Sequence, residues 1–256
     1  MQYLSAACTD VGIKKDTNQD SLTIKIANTL IGNIAMVVVC DGMGGLEQGE
    51  VASADVIKEF SAWFYNRLPL LLMGGIPQDT VIRSEWNNII QSENQKIADY
   101  GKKHGISLGT TAVVGLFTDS RYYILNVGDS RAYEIQNQAY VMTEDQTLVA
   151  SEVRKGIITE EQAKIDPRRS VLLQCIGASP TVTPDMYFGD VKKDAVYMFC
   201  SDGFRHVISE QELVSFLGPQ VSVREDIMEK NGYTLIEMNK QRNETDNISV
   251  AFIRTY

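Results

Sequence analysis

Ile34-Ala-Met-Val-Val-Val-Cys40 runs without a break into Asp41-Gly-Met-Gly-Gly45. A short apolar run rich in β-branched residues and closed by turn residues reads as a strand covered on both faces. Asp41 therefore falls at the end of a buried strand, where a carboxylate can project into a cleft. Gly42, Gly44 and Gly45 carry no Cβ, so the backbone there can turn sharply and come close to an ion. Taken alone, the stretch also fits a plain turn after a core strand, because Asp-Gly is common turn chemistry.

Recurrence separates the two readings. Asp20 precedes Ser21-Leu-Thr-Ile-Lys-Ile26, Asp129 follows Tyr122-Tyr-Ile-Leu-Asn-Val127, Asp202 follows Ala195-Val-Tyr-Met-Phe-Cys200, and Asp246 precedes Ile248-Ser-Val-Ala-Phe-Ile253. Each of these aspartates stands beside an apolar or alternating run and is flanked by small or turn-forming residues. Carboxylates gathered at strand ends repel one another unless cations sit among them. Hard divalent ions take such oxygen ligands and fill their remaining positions with water. The competing view, aspartates as scattered turn residues, must produce five such turns by coincidence.

Outward from this stretch, the chain divides into blocks. Tyr3 to Thr9 and Ser21 to Ala27 alternate like strands and are joined by the polar loop Asp10 to Asp20. Gly49 to Leu68 has helical spacing, with Val51, Ala54, Ile57, Phe60, Phe64 and Leu68 on one face and Pro69 as its stop. A second helix is expected from Thr80 to Lys103, capped by Asp79, with an apolar face that includes Trp86, Ile89, Ile90 and Ile97. From Gly109 to Met142 the period changes to two, as in a meander of short strands. Thr143 to Asp190 is polar and less periodic, with Thr-x-x-Gln capping signals at Thr143 and Thr159, and is expected to form a surface flap beside the cleft. Further Ser-x-x-Glu signals at Ser209 and Ser222 announce helices before a last strand at Ile248 to Ile253. Strands, a helix pair, strands, then helices and a strand indicate an α+β fold with antiparallel sheets packed face to face.

Composition narrows the function. At 256 residues with 44% apolar content the chain can bury a large core, and no Pro/Ser-rich linker divides it, so a single domain is expected over 1–256. A formal charge of −9 lacks the basic footprint of a nucleic-acid binder. No apolar stretch is long enough to span a bilayer, and the start lacks a signal-peptide pattern, so a cytoplasmic protein with no membrane partner is expected. Cys8, Cys40, Cys175 and Cys200 show no metal-binding spacing and read as reduced thiols, with Cys40 and Cys200 inside apolar strand runs. Only His104 and His206 are present, which thins any case for a histidine triad or zinc centre. Gly44-Gly-Leu-Glu-Gln-Gly49 has the glycine spacing of a P-loop, but Glu50 stands where the phosphate-binding lysine is required. The aspartates suit a two-cation hydrolase better: two ions about 4 Å apart acidify a water and neutralise phosphoryl charge.

Seven stretches, in this order, give the chain a marked resemblance to the metal-dependent protein phosphatases, the type 2C serine/threonine phosphatases, in their compact bacterial form. They are Thr9-Asp-Val-Gly12 through Asn18-Gln-Asp20; Val39-Cys-Asp-Gly-Met-Gly-Gly45 with Gly49-Glu-Val-Ala-Ser53; Gly109-Thr-Thr111; Asn126-Val-Gly-Asp-Ser-Arg131; Thr143-Glu-Asp145; Cys200-Ser-Asp-Gly203; and Asp246-Asn-Ile248. The resemblance implies a sandwich of two antiparallel sheets flanked by helix pairs, with Mg²⁺ or Mn²⁺ at one end. It implies hydrolysis of phosphoserine and phosphothreonine by a water or hydroxide between two metals. By motif position Asp41 would bridge them, Gly42 would offer its carbonyl, Asp202 and Asp246 would complete the first site, Asp20 would serve the second, and Asp129 would hold a third with Asp202. Lys15 falls where relatives usually have an arginine that grips the substrate phosphate, so a weaker grip is expected. Met43 falls where many eukaryotic relatives have a histidine, so water would protonate the leaving alkoxide and Met43 would be left to packing. The implied partners are phosphorylated proteins, including a serine/threonine kinase and its targets, met by a monomer. The alternative is a phosphoprotein-binding regulatory module of the same fold that has lost turnover.

Overall fold

The computed structural model describes residues 1–44 and 48–256. Gly45 of the glycine cluster, with Leu46 and Glu47, lies outside the described residues. In chain order the elements are β1 (Tyr3–Asp10), β2 (Ser21–Thr29), β3 (Gly32–Cys40), β4 (Gly42–Gly44), α1 (Gly49–Asn66), α2 (Leu68–Leu72), α3 (Asp79–His104), β5 (Leu108–Thr110), β6 (Ala112–Phe117), β7 (Arg121–Val127), β8 (Arg131–Ile135) and β9 (Ala139–Val141). They continue through α4 (Leu148–Arg154), α5 (Glu160–Ile165), β10 (Asp185–Asp190), β11 (Ala195–Cys200), α6 (Asp202–Arg205), α7 (Glu210–Leu217), α8 (Glu225–Gln241) and β12 (Ile248–Thr255).

Two antiparallel sheets form, in the orders β1-β12-β11-β8-β9 and β10-β7-β6-β3-β2, with β4 and β5 as a small separate pair. The pleat explains why β3 is apolar at every position from Ile34 to Cys40. Val37 and Val39 point inward, where they meet Val113, Phe117, Ile124, Phe199, Ala251 and Ile253 between the sheets. Ile34, Met36, Val38 and Cys40 point outward under Phe60 and Trp63 of α1 and Ile82, Trp86 and Ile90 of α3. Trp86 is fully buried, edge-on to both Phe60 and Trp63. On the opposite side Val196, Met198, Cys200, Val250 and Phe252 lie under Leu213 and Leu217 of α7 and Met228, Leu235 and Ile236 of α8. Helices, sheet, sheet, helices is the four-layer α+β arrangement expected from the sequence. No described helix is long and apolar enough to cross a membrane.

Several local expectations are corrected. Pro69 does not end the chain's helical course: it sits in the first turn of α2, where its missing N–H costs nothing. Asp79 does not cap α3; Gln78 precedes that helix without a side-chain bond, and Asp79 instead takes both arms of the Arg121 guanidinium. The charge-assisted fork outcompetes a cap. Ser222 does not open α8, because its hydroxyl donates to the Leu217 carbonyl and Arg224 stands before the helix. Thr143 accepts from the Ala132 amide, and Thr147 caps α4 in its place. The boxes at Thr159 and Ser209 form in full. α3 runs one residue past its expected end, to His104, which lies against the Tyr100 ring. Within the section expected as a flap from Thr143 to Asp190, Asp185–Asp190 pairs with β7 as an edge strand.

Candidate active site

Strand pairing alone brings the aspartates to one end of the sandwich. Ser21 pairs with Cys40, so Asp20, just before β2, and Asp41, just after β3, leave the same end of neighbouring strands. Cys200 pairs with Val250, which does the same for Asp202 and Asp246 in the other sheet. Asp129 lies in the turn where the chain passes from β7 in one sheet to β8 in the other. Side chains then join the sheets. The Ser201 hydroxyl donates to Asp20 Oδ2 at 2.8 Å. Thr111 Oγ1 accepts from the Asp41 amide at 3.0 Å and meets the Ser130 hydroxyl at 2.8 Å. Asn247 straps the Asp10 to Asp20 loop down, accepting from the Gln19 amide and donating to the Val11 and Thr17 carbonyls.

Two glycines are required by this closeness. A Cβ on Gly42 would fall 2.3 Å from the Gly49 carbonyl oxygen and 2.5 Å from that of Gln19. Gly12 has φ +80°, and a Cβ there would stand 2.3 Å from the Asp246 carbonyl oxygen. Met43 is part-buried in β4, opposite Gly109.

The carboxylates feel one another. Burial, and then the charges of Asp20, Asp202, Asp129 and Asp246, push the Asp41 carboxyl well above its ordinary range. Burial also raises Asp20; hydroxyl bonds from Ser249 and Ser201 oppose this, while Asp202 and Asp246 add to it. Asp129 is raised by burial and by Asp202, against the pull of Arg205. Asp129 and Asp202 are only 5% and 6% exposed, whereas Asp20, Asp41 and Asp246 open to the cleft. Asp20 Oδ1 and Asp202 Oδ1 are buried with no hydrogen-bond partner among the described residues. Such acceptors are costly unless something positive faces them, and a hard cation answers that need. Among the described residues no three His, Cys, Asp or Glu side chains converge into a complete ligand cage. An octahedral Mg²⁺ or Mn²⁺ that keeps several waters does not need one, so the donor set fits such ions. Lys15 Nζ pairs with Asp246 Oδ1 at 2.9 Å, half-exposed at the rim. Its burial pulls its pKa down, but Asp246 outweighs this and raises it.

Behind the cleft lies a set of residues to which the sequence reading assigned no role. Asp145 accepts from Arg131 Nε and Nη2 at 2.7 and 2.8 Å and from Arg205 Nη2 at 3.1 Å. Arg205 Nη2 also donates to the Asp129 carbonyl at 2.9 Å. His206 lies between two acids, with Nε2 3.3 Å from Asp202 Oδ2 and Nδ1 3.1 Å from Glu244 Oε2. The one sequence signal for this was Asp202 and His206 four apart on a short helix, which places them on the same face.

With that geometry in place, comparison with known proteins is decisive. Residues 13–226 match the family model of protein phosphatase 2C. A protein phosphatase 2C-type protein of Streptococcus pyogenes is 32% identical over 248 residues, covering 96% of this chain and 94% of its own. The crystal structure of serine/threonine phosphatase Stp1 from Staphylococcus aureus superposes with a TM-score of 0.84 at 27% identity, covering 100% of this chain and 96% of that one. The catalytic domain of serine/threonine protein phosphatase PstP, solved in complex with two manganese ions, shares the fold with a TM-score of 0.77 at 24% identity, over 98% and 97% of the two chains. The chain belongs to the protein phosphatase 2C family, the metal-dependent serine/threonine protein phosphatases.

Proposed function

We propose that the five-aspartate cleft is the catalytic centre of this protein phosphatase and that its ions are Mg²⁺ or Mn²⁺. Asp41 would serve both principal cations, the Gly42 carbonyl would be a neighbouring ligand, and Asp202 and Asp246 would serve the first, Asp20 the second, and Asp129 with Asp202 a third. When bound, such ions supply the positive charge that acidifies a water and offsets charge on the phosphoryl oxygens of phosphoserine or phosphothreonine. The chain's own groups do the rest. Lys15 offers its ammonium at the rim to the substrate phosphate, steadied by Asp246 until substrate arrives. The four thiols are buried, and burial raises Cys40 and Cys200, so neither is available as a nucleophile and hydrolysis proceeds without a phosphocysteine. Met43 carries no proton to give, which leaves protonation of the departing alkoxide to water.

The observation that carries this reading is the pair of unpartnered oxygens, Asp20 Oδ1 and Asp202 Oδ1, among mutually repelling carboxylates. Asp41→Asn and Asp202→Asn should each abolish Mn²⁺-dependent release of phosphate from a phosphothreonine peptide and from p-nitrophenyl phosphate. Turnover at the wild-type rate in either variant overturns it.

The substrates are phosphorylated proteins, and a serine/threonine kinase with its targets is the partner set we favour. Residues 142–184 form a flap on the single domain, tied in by Thr110 N to the Ile176 carbonyl at 2.9 Å and by the Asp145 fork. Four unpaired thiols favour a reducing, cytoplasmic setting. A monomer is the state we favour.

A further inference from the structure

We infer that His206 and Glu244 are positioning residues that hold Asp202 and Asp246 as one unit for the first cation, a role that rests on the metal assignment proposed above. Asp202 opens α6, while Asp246 lies on the loop before β12; the pairing of β11 with β12 brings them to one end, and their side chains are aimed by other groups. A continuous polar chain runs between them. Asp202 Oδ2 faces His206 Nε2 at 3.3 Å, and His206 Nδ1 faces Glu244 Oε2 at 3.1 Å. Glu244 Oε1 in turn accepts from the backbone amides of Thr245 at 2.7 Å and Asp246 at 3.0 Å. One helical turn sets up the first link, since the His206 amide donates to the Asp202 carbonyl at 3.2 Å and the imidazole returns beneath the Asp202 carboxylate.

The division of oxygens gives the device its direction. Asp202 Oδ2 is engaged by the ring, and Oδ1 is the atom left without a partner. A carboxylate fastened by one oxygen presents the other in a fixed direction, which is how groups behind a metal ligand tune it. The three side chains have little freedom to drift: their side-chain exposures, as distinct from those of the whole residues, are 8% for Asp202, 19% for His206 and 9% for Glu244. Nδ1 hydrogen-bonds to Glu244 and Nε2 lies at ion-pair distance from Asp202, so the one ring links the two acids. Both ring nitrogens face carboxylate oxygens, so His206 is placed to position a ligand rather than to be one.

The test begins with metal-free protein titrated with Mn²⁺ and followed by electron paramagnetic resonance of the free ion. Replacing a group that orients a metal ligand commonly costs 10–100-fold in affinity. His206→Ala and Glu244→Gln should each weaken the tightest Mn²⁺ dissociation constant by about that factor. Added imidazole, which can refill the vacated space, should recover part of it in His206→Ala alone. A variant that only loosened the fold would gain nothing from imidazole. Circular dichroism of the metal-free proteins reports folding, and if His206→Ala does not fold, His206→Gln and Glu244→Gln carry the comparison. Wild-type Mn²⁺ affinity in the folded variants overturns this inference; a wild-type protein that takes up no Mn²⁺ overturns the cation assignment instead.

Discussion

Asp145→Ala removes the single carboxylate shared by two enclosed guanidinium groups. The side chains are 13% exposed for Asp145, 28% for Arg131 and 12% for Arg205. Without Asp145, Arg131 keeps only the Tyr133 hydroxyl at 3.2 Å, and Arg205 keeps only the Asp129 carbonyl. Stripping one partner from a buried ion pair costs about 3–5 kcal/mol, because the remaining charge stays desolvated. Two cations lose their partner here, so the upper part of that range is expected, a large share of the roughly 5–15 kcal/mol by which domains are stable. Asp145→Asn keeps one acceptor and should lose less, about 1.5–3 kcal/mol. Urea unfolding of the metal-free proteins at neutral pH measures both. A loss below about 1 kcal/mol, the worth of an exposed pair, would refute the claim that this cluster behaves as buried charge. Acid provides an independent arm. Burial pushes the Asp145 carboxyl up, but Arg131 and Arg205 outweigh it and hold the group below its ordinary value. A carboxyl depressed in the folded state contributes stability above its unfolded pKa, about 3.9, and loses it as pH falls through the folded value. The stability gap between wild type and Asp145→Asn should therefore narrow from pH 6 towards pH 3. A gap that stays constant would count against the ionic origin.

Two further outcomes are expected. Lys15→Arg replaces a point charge with a fork that can grip phosphate through two parallel bonds, so KM for a phosphopeptide should fall about fivefold, roughly 1 kcal/mol, with kcat little changed; identical kinetics would remove Lys15 from the phosphate path. Gly12→Ala meets both a left-handed backbone and the Asp246 carbonyl. It should cost at least about 1–2 kcal/mol in urea unfolding from the backbone alone and weaken Mn²⁺-dependent turnover by displacing Asp246, whereas wild-type turnover would free that loop from the site.

What the sequence disclosed, it disclosed through periodicity and position. β3 was readable because a strand covered on both faces has no polar alternation, and the five aspartates were readable because strand ends punctuate the apolar runs. Sequence could not rank long-range competitors. Asp79 looks like a cap until Arg121, in another element, claims its carboxylate. Ser222 and Glu225 have capping-box spacing, yet Ser222 turns back to Leu217 and Glu225 accepts from the Ser5 amide of β1. Asp185–Asp190 lacks the apolar content of a central strand because it lies at an edge, paired on one side by β7. The His206 and Glu244 link was invisible for a related reason. Its spacing is local at Asp202, but its second half arrives from beyond α8, and only the closing of β12 against β11 brings the two together.

The segment 142–184 departs from β9, one outer strand of the first sheet, and returns as β10, one outer strand of the second. Both its exits are thus fastened to the scaffold by backbone bonds that depend little on side-chain identity. Mutation can rewrite most of the span between those moorings, altering length and chemistry together, while the buried strands and the cleft keep their registration. The end of the sandwich that carries the aspartates can in this way stay fixed while its neighbour changes, provided the Asp145 anchor survives.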